Sequence, residues 1–179
     1  MAKKRSNGKF FIIIGGILAY FSVFSYFLLN SLGAWWLLEI DPVLGTTQTY
    51  FLNAFGFYGI TGEELELVLG ALGIFGIVLF LVGPILSILS ISKESKILAY
   101  LGFFFMISAL AIFLYGLANY QDLNSILENI SLITGDETIV YFGTANLGLL
   151  GIWTWMLGVG FYIAAVGTIV TLIGAITLK

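Results

Sequence analysis

Few side chains in this 179-residue chain have types and spacing suited to chemistry, and carboxylates lead them. Glu63, Glu64 and Glu66 stand together, with Glu39 and Asp41 upstream in the same polar stretch. Oxygen ligands suit hard cations, so one reading is a weak divalent-cation site. No calcium-loop pattern surrounds them, and acids that begin an apolar helix complement its dipole; capping and solvation is therefore the expected role, and no metal is assigned. Asn129-Ile130-Ser131 matches the N-glycosylation acceptor pattern and makes Asn129 a modification candidate. The chain has no cysteine and no histidine, which removes disulfides, thiolate nucleophiles, thiolate or imidazole metal ligation and the commonest general base. It also lacks a glycine-rich phosphate loop with lysine and any nucleophile and base pair at a familiar spacing. The expectation is a non-enzymatic protein without a cofactor.

The elements that would position these residues are dictated by composition. Hydrophobic residues make up 60% of the chain, charged residues only 9%, and the mean hydropathy is +1.07. A soluble domain needs about 25% charged residues to cover its surface, so lipid must cover this one. Four apolar runs occupy residues 10–29, 65–91, 97–118 and 147–178, free of Asp, Glu, Lys and Arg except for Glu66 at the start of the second. Each is long enough for a helix to cross a hydrocarbon core of about 30 Å, and continuous runs favour helices over the alternating strands of a barrel. The predicted fold class is an all-α integral membrane protein: a single four-transmembrane-helix bundle with two outer loops that carry a short helix or strands.

Charge sets the expected orientation. Lys3, Lys4, Arg5, Lys9, Lys93, Lys96 and Lys179 fall on one side of the four runs with Glu94, giving that side +6. The other nine carboxylates fall in residues 30–66 and 119–146, giving the opposite side −9. The positive-inside rule places both termini and the 92–96 turn in the cytoplasm, with loops 30–64 and 119–146 outside, in a plasma membrane. A cleaved signal peptide is the competing reading of the start. The first run is longer than such signals and carries Tyr20 and Tyr26, so an uncleaved span is expected.

The first outer loop is rich in rings: Trp35, Trp36, Tyr50, Phe51, Phe55 and Tyr58. These read as an interfacial belt or as a partner-contact surface. Residues 46–51 have the β-branched and aromatic content of a strand, as do residues 138–142 in the second loop, and the two could pair into a small outer cap. Leu123, Ile126, Leu127 and Ile130 follow i, i+3, i+4, i+7 spacing, which predicts an amphipathic helix that packs on the bundle or the membrane surface.

Within the spans, small residues recur at helical intervals: Gly15 and Ala19, then Gly70, Gly73 and Gly76, then Gly160, Ala164, Gly167, Thr171 and Ala175. Hydrocarbon supplies no hydrophobic push between helices, so such stripes mark close packing, inside one bundle or between chains. Pro84 removes an N–H from the second span and is expected to kink it, with Ser87 and Ser90 bonding the backbone nearby.

Beyond Glu66 at the very start of the second run, no Asp, Glu, Lys, Arg or His lies within the spans, which weighs against ion transport and proton relay. The four-helix, two-loop plan is shared with claudin-type junction proteins and tetraspanins. Both rely on loop cysteines absent here, and Gly33-Ala34-Trp35 departs from the claudin Gly-Leu-Trp signature, so the plan is an analogy of topology alone. The expected function is an accessory, assembly or structural component that works through helix packing and outer-loop contacts. Its partners would be membrane lipid and a protein or second copy within the membrane, and the pI near 4.7 argues against nucleic acid. The alternative is a small channel or transporter for a neutral or lipidic molecule, formed as a homo-oligomer.

Overall fold

The computed structural model describes residues 7–29, 33–60, 66–67 and 69–178. It is mostly helical, and four helices are long and apolar enough to span a membrane: α1 (Asn7–Leu29), α2 (Gly70–Lys93), α3 (Lys96–Ala118) and, after a shorter helix α4 (Gln121–Thr134), α5 (Val159–Thr177). At 1.5 Å per residue the 19 residues of α5 reach about 28 Å, close to the thickness of a hydrocarbon core. Between α2 and α3 only Glu94 and Ser95 intervene, so the pair must run antiparallel. Glu94 takes the left-handed conformation, with φ 49°, and the Ser95 N–H closes the α2 terminus on the Ser90 carbonyl at 3.0 Å. On this basic end Lys9 of α1 meets Glu94 at 3.6 Å.

The helices pack as an antiparallel bundle, α1 against α5 and α2 against α3, with α3 touching α5 and α1 touching α2. The C-termini of α1 and α3 and the N-termini of α2 and α5 therefore lie at one end. There the chain departs from an all-α fold. Six strands, β1 (Trp36–Asp41), β2 (Gln48–Leu52), β3 (Phe57–Ile60), β4 (Glu66–Leu67), β5 (Phe142–Asn146) and β6 (Ile152–Leu157), form one antiparallel sheet in the order β4-β3-β2-β1-β6-β5.

Two expected spans are shortened by this sheet. The 65–91 run starts its helix only at Gly70, whose φ is +53°, because Glu66 and Leu67 pair with β3. The 147–178 run is not one helix: its first third forms a 3₁₀ turn (Gly148–Leu150) and β6, and α5 begins at Val159. An apolar run does not by itself separate strand from helix, and within β6 Trp155 is buried whereas Ile152 and Met156 are exposed. Gly148 (φ +62°) and Gly151 (φ +89°) turn the β5–β6 hairpin, and the Gly158 N–H bonds the Trp35 carbonyl at 2.9 Å where strand becomes helix.

The strand expected over 46–51 is β2. The one expected over 138–142 lies later, as β5, and the two do not pair: β5 joins β6, and β6 joins β1 through Trp36↔Leu157 to Asp41↔Ile152. The amphipathic helix is present as α4. Leu123, Leu127 and Ile130 are buried, Gly135 ends the helix with φ 78°, and the Asn124 amide donates to the Ala118 carbonyl at 2.8 Å, satisfying the end of α3.

Candidate interaction surface

Strand register divides the sheet into two faces. Trp36, Leu38 and Ile40 of β1 share one face with Leu52 and Tyr50 of β2 and with Leu157, Trp155 and Trp153 of β6. Helix α4 and the segment after it lie on this face. The Trp36 indole N–H donates to the Val140 carbonyl at 3.0 Å, that of Trp155 to Ile139 at 2.7 Å, and the Thr138 hydroxyl to Leu127 at 3.2 Å. Buried indoles thus bond the irregular backbone that returns from α4 to the sheet, which accounts for both the tryptophans and the order of that segment.

The opposite face is covered at Phe51 of β2 and more open over β1, β6 and β5. Leu37, Met156 and Phe142 form a row near the bundle, and Thr49, Glu39, Thr154 and Thr144 form a polar row beyond it, with the two threonine hydroxyls of β5 and β6 at 3.1 Å. Farther out, the β1–β2 turn presents Val43 and Leu44, and the adjacent β5–β6 turn presents Leu149 and Leu150. Leu44 and Leu149 are about 90% exposed. The carboxylates Glu39, Asp41, Asp122, Glu128, Asp136 and Glu137 all lie on this cap and are exposed. The sequence places no Lys, Arg or His between residues 10 and 92 or between 97 and 178, so nothing in the cap neutralises them.

The expectation that Trp35 and Trp36 form an interfacial belt or contact surface needs correction, because both are buried, as is Phe51. Trp35 fills the cap end of the bundle, edge-on to Phe113 at 5.0 Å, Phe80 at 5.2 Å and Phe161 at 5.8 Å, and its indole donates to the Ser22 carbonyl at 3.2 Å. Tyr50 and Phe55 are half-buried; Tyr50 donates to Gln48 Oε1 at 2.9 Å. Tyr58 pairs with Leu52 in β3, and its side chain lies outside the description. Asn129 is exposed on α4. Glu63 and Glu64 lie outside the described residues, and among the described residues no group of three potential metal ligands gathers.

The small residues act within the chain. Gly15 and Ala19 of α1 face Gly167 and Thr171 of α5, and a Cβ at Gly15 would sit 2.7 Å from the Gly167 carbonyl oxygen. Ala175, like Ala164, is fully buried. Gly160 lies under the chain entering β1, its N–H bonded to the Ala34 carbonyl at 3.0 Å. Gly73 abuts the Phe55 carbonyl and Gly76 abuts Ile112. Gly70 is the exception: a Cβ there would meet nothing within 4 Å, so its positive φ explains it rather than close packing. α2 continues through Pro84; Ser90 donates to the Ser87 carbonyl at 2.5 Å, whereas the Ser87 hydroxyl has no hydrogen-bond partner among the described residues. It points into the Gly83–Gly102 crossing of α2 and α3, where a Cβ at Gly102 would collide with it.

The features that sequence reasoning missed are β1, β3, β4 and β6, and with them the edge position of β5. The signal for β6 was the β-branched and aromatic content of Ile152-Trp153-Thr154-Trp155 between Gly151 and Gly158. Compared with protein-family models and with curated proteins, the sequence gives no match.

Proposed function

We propose that this chain is a non-enzymatic multi-pass component of the plasma membrane, with both termini cytoplasmic and the cap outside, and that it serves as an accessory or assembly subunit through its cap. The observation that carries the reading is the surface of that cap: exposed carboxylates without one basic residue, beside the exposed apolar turns Val43-Leu44 and Leu149-Leu150. Isolated surface leucines are ordinary, but two adjacent turns that each present a pair are a contact feature. The charge segregation of +6 against −9 supports the orientation.

Two further observations shift the contact away from the helix faces proposed by composition. The glycine seams are occupied within the chain, and the aromatic group around Trp35 fills the bundle at its cap end. The test is extraction from native membranes in mild detergent followed by native mass determination. A second polypeptide bound at fixed stoichiometry is the expected result; a chain that is always monomeric after extraction and after chemical crosslinking in the membrane would overturn the proposal.

A further inference from the structure

The sheet has one longer edge, free beyond the antiparallel bridge between Ile139 and Phe142 at the start of β5. β4, at one side, has two residues, whereas β5, at the other, has five and carries no charge, proline or bulge of the kind that usually guards an edge. The Leu147 N–H bonds the Gly151 carbonyl at 2.9 Å across the β5–β6 turn. Antiparallel pairs alternate, so Ala145 and Gly143 direct their backbone groups to β6, and the N–H and C=O of Thr144 point outward. Among the described residues no backbone bond reaches Thr144 from beyond the sheet, and its side chain is exposed.

A cleft of about 220 Å³ runs beside this edge. Its apolar lining includes Ile130, Ile139, Phe142 and the Trp155 indole, and Asp136 and Glu137 stand in the same wall. A strand laid on β5 would therefore meet a recess suited to a side chain with an apolar stem and a cationic head, which is the form of lysine and arginine. We infer that β5 and this cleft receive an extended segment of a different protein, added to the sheet as a seventh strand and carrying a basic side chain into the cleft.

The segment does not come from a second copy in the same membrane. Among the described residues Lys9, in the first turn of α1, and Lys93 and Lys96, which flank the α2–α3 turn, lie at the opposite end of the bundle; the other basic residues precede α1 or follow α5 in sequence, and two acidic caps repel each other. Main-chain bonds supply affinity in strand addition and side-chain pockets supply selectivity, so the partner is defined by an exposed β-forming stretch with Lys or Arg.

This inference rests on the cap being the contact surface, and its test is separate. A display library of random heptapeptides is selected against the purified chain in nanodiscs, and the selected peptides are synthesised with fluorescent labels. Peptides rich in β-branched residues with one Lys or Arg are expected. Their affinity should fall at least tenfold on N-methylation of alternate peptide amides, which blocks strand pairing, and at least tenfold for the Asp136→Asn, Glu137→Gln double variant. Thr144→Pro removes the outward N–H while leaving the bonds to β6, and should act like N-methylation. A failure to select binders, peptides without a basic residue, peptides resembling β5 itself, or indifference to N-methylation and to the carboxylate variants would each overturn the inference. A bound polypeptide recovered by mild extraction together with such a failure would leave the accessory reading standing and remove this edge from it.

Discussion

The residues that hold the cap to the bundle are those least open to change. Trp35 is 1% exposed, packs three rings edge-on and donates a hydrogen bond, so Trp35→Ala leaves a large cavity and removes one of the two side-chain hydrogen bonds to the Ser22 carbonyl, the other coming from Ser25. The expected destabilisation is about 3–5 kcal/mol, read as a fall in thermal midpoint in detergent; a midpoint within a degree of wild type would contradict the packing. Leu44→Ser, in a turn about 90% exposed, should leave the same midpoint unchanged. Ser87 gives the opposite sign. Its buried hydroxyl has no partner, so Ser87→Ala is expected to be neutral or stabilising by up to about 1 kcal/mol, and a clear loss of stability would show that a bond to that hydroxyl exists.

At the scale of elements, the four long apolar helices were legible because each lies in a continuous apolar run, and α4 because its apolar residues recur at helical spacing. Leu123, Leu127 and Ile130 reach the core as their spacing requires. The sheet was legible only in part. β2 announced itself by composition, but β6 is apolar on both faces near the bundle and merges with α5 into one run, so hydropathy carried no boundary between them. Register across β1 and β6 depends on contacts more than 100 residues apart, which local spacing does not encode. The small residues were recognisable as packing positions, yet whether their partner lay within the chain was decided only by the antiparallel α1–α5 and α2–α3 contacts. The cysteine-free chain permits a direct check of β6. Single cysteines at Ile152, Thr154 and Met156 should react with maleimide faster than at Trp153, Trp155 and Leu157, in step with the two faces; a 3.6-residue rhythm would restore the helix.

At the scale of the whole molecule, two loops separated in sequence by a helical hairpin complete one sheet, and that sheet fixes both to the same end of the bundle. The basic residues gather at the other end, where Lys9 and Glu94 join α1 to the α2–α3 turn. One molecule thus has a cationic pole and an anionic, folded pole, and the proposed orientation sets the first at the cytoplasmic leaflet and the second outside. A membrane-impermeant maleimide should label Thr144→Cys in intact cells and label Ser92→Cys only after permeabilisation, and the reverse pattern would invert the orientation.

The central claim is that the cap contacts another protein, and site-directed crosslinking in the native membrane tests it most directly. A benzophenone maleimide attached to single cysteines at Leu44, Thr144 and Lys96 would be photolysed before any extraction. One discrete adduct of the same added mass from the two cap positions, with none from Lys96, is the predicted result. No adduct from the cap, or the same adducts from all three positions, would contradict it.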